Sequence, residues 1–213
     1  MTGPQPLPRG VLVALEGIDG TGKSTQVQRL TALFKEQGYD VLSLREPTDS
    51  PWGRRLRQGM RARQPLLAPS QELDLFLRDR RYDVAARIQP ALAARKLVLI
   101  DRYYYSTMAY QGARGIDPEK IRRLNEAFAP VPDAVFVLLL SPAQALERIR
   151  CARGRADDVF EREDYLKNVD EIFRGFRASP IHQIAADRPI DAITSVLRQK
   201  TQNILQSLSL RTK

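Results

Sequence analysis

The chain has 213 residues, 43% of them hydrophobic and 28% charged, which excludes a collagen-like, coiled-coil or wholly disordered protein and fits a single globular domain. No stretch approaches the roughly 18 apolar residues that a membrane-spanning helix needs. The net charge is +9, arginine outnumbers lysine 27 to 7, and residues 51–100 hold eleven basic against four acidic side chains, so a polyanionic partner is expected: nucleic acid, an acidic surface or a phosphorylated small molecule.

Met1–Arg9 contain three prolines and no apolar core, so a short disordered lead-in is expected over 1–9 rather than a secretory signal. Val11–Leu15 is a short apolar run of the kind found in buried parallel strands. A glycine-rich turn follows at 17–22. Val27, Leu30, Leu33 and Phe34 recur at helical spacing and predict a helix over Ser24–Gln37, closed by Gly38. Val41–Leu44 reads as a second strand. Residues 51–65 form a basic helical stretch that breaks at Pro65 and Pro69. A long helix is predicted from Ser70 to about Ala94, with Glu72 and Asp74 suiting the positive end of its dipole. Leu97–Ile100 is the third strand and Val135–Leu140 the fourth. Ser141-Pro142 then supplies the favoured cap and first-turn proline of another helix. Ile181–Ala185 is a weaker fifth strand, and Asp191–Leu210 a closing amphipathic helix. This alternation predicts an α/β fold: an open, mostly parallel five-stranded sheet with helices on both faces and ligands beyond the carboxyl ends of the strands.

Cys151 is the only cysteine, which excludes an intramolecular disulfide, and with the single His182 it argues against zinc. A reducing, cytoplasmic setting is expected.

Gly17-Ile18-Asp19-Gly20-Thr21-Gly22-Lys23-Ser24 matches the phosphate-loop pattern G-x-x-x-x-G-K-[ST], between a strand and a helix as that motif requires. Its glycines let backbone N–H groups turn toward phosphate oxygens, and the helix start adds positive potential. Lys23 is placed to reach the β and γ phosphates, and Ser24 to ligate Mg2+. Residues 17–25, with Thr25 closing the set, are the candidate nucleoside-triphosphate site. Past the third strand, Asp101 is placed like a Walker-B acid, a second candidate ligand for Mg2+. Arg45 and Arg102 follow two strands, and with Arg80 on the long helix they are candidates for holding an acceptor phosphate.

Beyond the loop itself, the chain contains Arg45-Glu46-Pro47, Leu75-Phe76 with Arg80, Pro90-Ala91-Leu92, Asp101-Arg102-Tyr103, Ser106 with Ala109-Tyr110-Gln111-Gly112, and Arg153-Gly154. In this order and near these spacings, from about residue 10 to about 205, they resemble the thymidylate kinase family. The resemblance implies a three-layer P-loop kinase domain over 10–213, with an acceptor-binding region at about 45–112 and a short lid at about 150–163. It implies that ATP, with Mg2+, phosphorylates dTMP to dTDP on the way to DNA precursors, and that the protein is a homodimer binding neither membrane nor nucleic acid. By that resemblance Arg102 and Arg45 bind the acceptor phosphate, Phe76 stacks on thymine and Arg80 hydrogen-bonds the base. Asp19 takes the sugar 3′-hydroxyl and Tyr110 lies near the 2′ position. Ser106, Thr107 and Gln111 join the acceptor site, with Thr107 able to reach the base edge. Some family members carry a basic residue at the position of Gly20; without one, lid arginines would cover the transferred phosphoryl group, and Arg153 and Arg155 are the candidates. The chain departs from the family where Thr48-Asp49-Ser50 replaces the common Gly-Gly-Thr, where Arg78 and Arg81 replace small or neutral residues, and at Asp157-Asp158 in the lid.

Two other classes fit parts of the sequence. A kinase of another nucleoside or nucleoside monophosphate would use the same fold, and a deoxynucleoside kinase would want a base such as Glu46 to activate a neutral hydroxyl. A nucleotide-gated nucleic-acid-binding module would explain the basic block, although no RRM, KH or zinc signature accompanies it. A degenerate kinase kept as a scaffold is disfavoured by the presence of Lys23, Asp101 and Arg102.

Overall fold

The computed structural model describes residues 7–61, 67–153 and 163–210. The five apolar runs form five parallel strands: β1 (Val11–Glu16), β2 (Val41–Arg45), β3 (Leu97–Asp101), β4 (Ala134–Leu139) and β5 (Ile181–Ala185), in the order β2-β3-β1-β4-β5. β1 and β3 are buried along their whole length. Strands covered on both faces read as continuous apolar runs, which is why these two were plain in the sequence. β5 lies at an edge and is mostly half-buried, which accounts for its weaker signal.

The helices are α1 (Lys23–Glu36), α2 (Pro51–Arg61), α3 (Pro69–Asp83), α4 (Gln89–Ala93), α5 (Tyr104–Gly112), α6 (Pro118–Glu126), α7 (Pro142–Arg153), α8 (Glu163–Gly175) and α9 (Ile190–Leu210). α1 buries Val27, Leu30 and Phe34 and packs on the sheet beside α9. α8 buries Leu166, Val169 and Phe173 and packs on β4, with α5 and α7 alongside. Sheet and flanking helices make the three layers of a P-loop kinase fold. Register decides where the site falls. Leu15 pairs with Asp101, and Asp101 with Arg45, so β1, β3 and β2 end in one row and the loops that follow them meet above it.

Several expectations are corrected. The lead-in does not extend to residue 9, because Leu7 is buried in the core and Arg9 Nη2 bonds Asp133 Oδ1 at 2.5 Å. Asp133 Oδ2 also accepts the Leu12 N–H within β1, so one carboxylate holds both the strand and Arg9 ahead of it. The helix predicted over 70–94 starts at Pro69, where Gln71 Oε1 accepts the Ala68 N–H. It is also not uniform: a π-helical turn, Val84–Ile88, separates α3 from α4. Asp101 belongs to β3 instead of lying just past it. The basic helix α2 ends at Arg61, and the predicted break at Pro65 lies outside the described residues. Arg150 to Arg153, expected to open the lid, form the last turn of α7, and Glu163 opens α8; residues 154–162 lie outside the described residues.

Phe34 is wholly buried and meets Tyr39 edge-on, ring centroids 5.8 Å apart. Phe34→Ala is expected to lower the unfolding free energy by about 3–5 kcal/mol in urea titrations, leaving the activity of the folded fraction unchanged.

Candidate active site

The phosphate loop is shaped by two glycines that admit no side chain. Gly17 has φ +130° and a Cβ on it would stand 2.4 Å from the Leu138 carbonyl oxygen; Gly20 has φ +82° and a Cβ there would stand 2.5 Å from that of Ala145. Both positions combine a left-handed backbone with a close approach, so only glycine fits. Lys23 opens α1 and is buried. Its Nζ donates to the carbonyls of Gly17 (3.0 Å) and Ile18 (2.7 Å), and Thr21 Oγ1 donates to the Ile18 carbonyl at 3.0 Å. Burial, reinforced by Arg102, pushes the Lys23 ammonium down to about 8, while Asp19, Asp101 and Glu16 pull the other way. Ser24 and Thr25 stay exposed on the first turn. Ser24 Oγ donates to Asp101 Oδ2, and Asp101 Oδ1 is buried with no hydrogen-bond partner among the described residues. A hydroxyl and a carboxylate with a spare oxygen, side by side, form a hard-oxygen donor set that suits Mg2+, which takes few protein ligands and completes its shell with phosphate and water.

Arg102 occupies the crevice between the loops after β1 and β3. Its backbone is left-handed, φ +69°, a conformation uncommon for residues other than glycine. Nη2 donates to Asp19 Oδ1 at 2.7 Å, Nη1 to Ser106 Oγ at 3.0 Å, and the guanidinium carbon lies 5.2 Å from the Tyr110 ring centroid. Asp19 N–H in turn donates to Tyr110 Oη at 3.2 Å. Asp19, Arg102, Ser106 and Tyr110 are therefore one cluster at the mouth of the phosphate loop. Arg45 stands at its rim, 65% exposed, with Nε 3.8 Å from Asp101 Oδ2.

Arg80 is placed differently from a surface arginine. It is 1% exposed and ion-paired to Glu46 Oε2 through Nε (2.9 Å) and Nη2 (2.5 Å). Nη1 donates to Asn125 Oδ1 at 2.6 Å, and Nη2 also to Thr107 Oγ1 at 3.2 Å. Phe76 lies one helical turn earlier on α3, half-buried. Thr107 is thus a partner of Arg80. Gln111 is fully buried, its Nε2 donating to Glu72 Oε2 at 2.5 Å. Arg153 ends α7, and Arg155 lies outside the described residues.

Residues 15–196 match the family model described as thymidylate kinase. The chain belongs to the thymidylate kinase family. It is 46% identical over 191 residues to a thymidylate kinase of Akkermansia muciniphila, covering 90% of this chain and 91% of the other. It is 43% identical over 204 residues to a thymidylate kinase of Xanthomonas oryzae pv. oryzae, covering 96% and 87%. It is 40% identical over 195 residues to a probable thymidylate kinase of Archaeoglobus fulgidus, covering 92% and 96%.

Against this family background, four buried residues stand out to which the sequence reading gave no part in the site. Asp79 accepts Thr48 N–H (2.8 Å), Thr48 Oγ1 (2.5 Å) and Ser50 Oγ (2.6 Å), locking the divergent Thr48-Asp49-Ser50 loop onto α3. Asn125 and Glu72 hold Arg80 and Gln111 as described. Glu16, at the end of β1, accepts the Tyr103 N–H at 2.8 Å and the Ser106 hydroxyl. Glu16 had one visible signal: a carboxylate that ends an otherwise apolar strand just before Gly17.

Burial drives the Glu16 carboxyl up to about 7, against the pull of Ser106 and Arg102. An acid whose folded value is raised binds its proton more tightly in the native state. Its stabilising effect is complete below the ordinary range near 4.5 and is lost as pH climbs toward 7. Denaturation of the ligand-free protein is therefore expected to show a steeper loss of stability between those pH values in the wild type than in Glu16→Gln.

Proposed function

We propose that the chain transfers the γ-phosphoryl group of ATP to the 5′-phosphate of dTMP, giving ADP and dTDP. The observation that carries this reading is Arg102, fastened between Asp19 and Ser106 where the loops after β1 and β3 meet. A fixed cation beside a phosphate loop suits a second phosphate facing the first. The acceptor phosphate ionises with a second pKa of about 6, so it attacks without giving a proton to the enzyme. The protein's work is to align two polyanions and offset their repulsion. Lys23 and the loop N–H groups take the donor phosphates. Arg102, with Arg45 at the rim, takes the acceptor phosphate. Mg2+ on Ser24 and Asp101 would supply further positive charge to the triphosphate. Since Gly20 leaves no room for a cradle cation, Arg153 and Arg155 are assigned to the transferred group.

The same reading gives base selectivity. Arg80 has five N–H donors; among the described residues one Nη1 proton is not used. That spare donor, one helical turn from Phe76 on α3, suits a carbonyl such as thymine O4 and opposes the amino group of cytosine. Asp19 and Tyr110 line the sugar side. The alternative of a nucleoside kinase with Glu46 as its base is weakened by the ion pair that ties Glu46 Oε2 to Arg80, although Oε1 has no hydrogen-bond partner among the described residues. We also propose a homodimer, supported by exposed Tyr82, Leu124 and Val131 near the place where Arg81 stacks on Phe128. A cytoplasmic setting agrees with the free, exposed Cys151.

An acceptor panel tests the assignment. With ATP and Mg2+, ADP should form fastest with dTMP among dTMP, dUMP, UMP, CMP, AMP and thymidine; faster turnover of thymidine would overturn it. Lys23→Ala is expected to cut kcat at least about 100-fold with the fold retained by circular dichroism. Arg153→Ala and Arg155→Ala are each expected to lower kcat by about 10- to 100-fold with little change in either KM, which steady-state kinetics would read.

A further inference from the structure

Glu16 is the last residue of the central strand, and none of it reaches solvent. Its two oxygens hold two groups, and both groups belong to the surroundings of Arg102. Oε1 accepts the N–H of Tyr103, the residue that follows Arg102, at 2.8 Å. That bond secures the chain just where Arg102 takes its left-handed backbone, φ +69°. Oε2 accepts the hydroxyl proton of Ser106. A serine hydroxyl has one proton and two lone pairs. With the proton turned to Glu16, the lone pairs face Arg102 Nη1, 3.0 Å away.

We propose that Glu16 is the positioning residue for acceptor-phosphate binding: through Tyr103 it fixes the Arg102 turn, and through Ser106 it fixes the direction of the Arg102 guanidinium. The ionised carboxylate, the form that predominates above about pH 7, performs both tasks at once. A neutral amide of the same shape would still accept from Tyr103 N–H. Its NH2 would donate to Ser106 Oγ, compete with Arg102 for the lone pairs and turn the serine proton toward the cation. Strand packing alone does not call for a charge here, since a buried carboxylate costs more than an amide that satisfies the same N–H. The two cations nearest in effect, Arg102 and Lys23, are both parts of the phosphate-binding set. Asp19 holds the other face of Arg102, so the guanidinium is braced between the phosphate loop on one side and the Glu16–Ser106 chain on the other.

The proposal rests on Arg102 being the acceptor-phosphate ligand, and the experiment separates the two. Initial rates are measured with dTMP and ATP varied in turn for the wild type, Glu16→Gln, Ser106→Ala, the double variant and Arg102→Ala, each checked for folding by thermal melting. Glu16→Gln and Ser106→Ala are expected to raise KM for dTMP by about 10-fold, while KM for ATP moves less than about threefold. Because both cut one chain of bonds, the double variant should be no worse than the more severe single one. Equal rises in both KM values, multiplied losses in the double variant, or an unchanged KM for dTMP in Ser106→Ala would overturn the proposal. Ser106→Ala decides the matter even where Glu16→Gln folds poorly. An Arg102→Ala variant with normal KM for dTMP would overturn the acceptor-phosphate assignment as well.

Discussion

A cation taken out of water needs an anion to hold it, and the end of this sheet is organised by that constraint. Arg80 sits on Glu46 and Arg102 on Asp19. Lys23 rests on loop carbonyls with Asp19, Asp101 and Glu16 near enough to keep it charged. Removing one member of such a pair leaves the other stranded, which is costlier than never having buried either. The pairs also fix geometry. Each acid comes from a different segment from the base it holds: Glu46 follows β2 and pairs with α3, while Asp19 follows β1 and pairs with the residue after β3. The ion pairs therefore cross-link the loops around the crevice.

The fold was legible because its strands are buried on both faces and its main motif lies between a strand and a helix. Strands β1 to β5 were all found within a residue or so at their ends. The helices α5, α6 and α8 were not assigned, for physical reasons. Seven of the nine residues of α5 are buried, so it has no polar face and no amphipathic period. α6 is only nine residues long, with Ile121 and Asn125 as its buried positions. α8 has a clear apolar stripe at Leu166, Val169 and Phe173, but it begins at the edge of the charged segment read as a lid. The π-helical turn after α3 changes the hydrogen-bond step without changing the apolar pattern, so nothing in the sequence marks it.

For the candidate site, the residues that carry a motif could be singled out in the sequence and those that brace them could not. Lys23, Ser24, Asp101 and Arg102 follow from pattern and position. Glu16, Asp79 and Asn125 are polar residues whose meaning depends on what they face, and spacing says nothing of that. The departure at Thr48-Asp49-Ser50 shows the same point. In the sequence it looks like a loss of two glycines beside the acceptor. In the fold, Thr48 and Ser50 hydroxyls bond Asp79, and Ser50 Oγ accepts the Gly53 N–H, so the loop is held by side chains.

The close approach of Gly20 to the Ala145 carbonyl bears on how such an enzyme could change over generations. A side chain brought in at position 20 would first meet the backbone of Ala145 on α7, so a substitution there cannot succeed without a second adjustment. The adjustment would have to come from the first turn of α7, the helix that ends at Arg153. A steric barrier in inheritance thus guards this position, and a lineage starting from this geometry is held to glycine there.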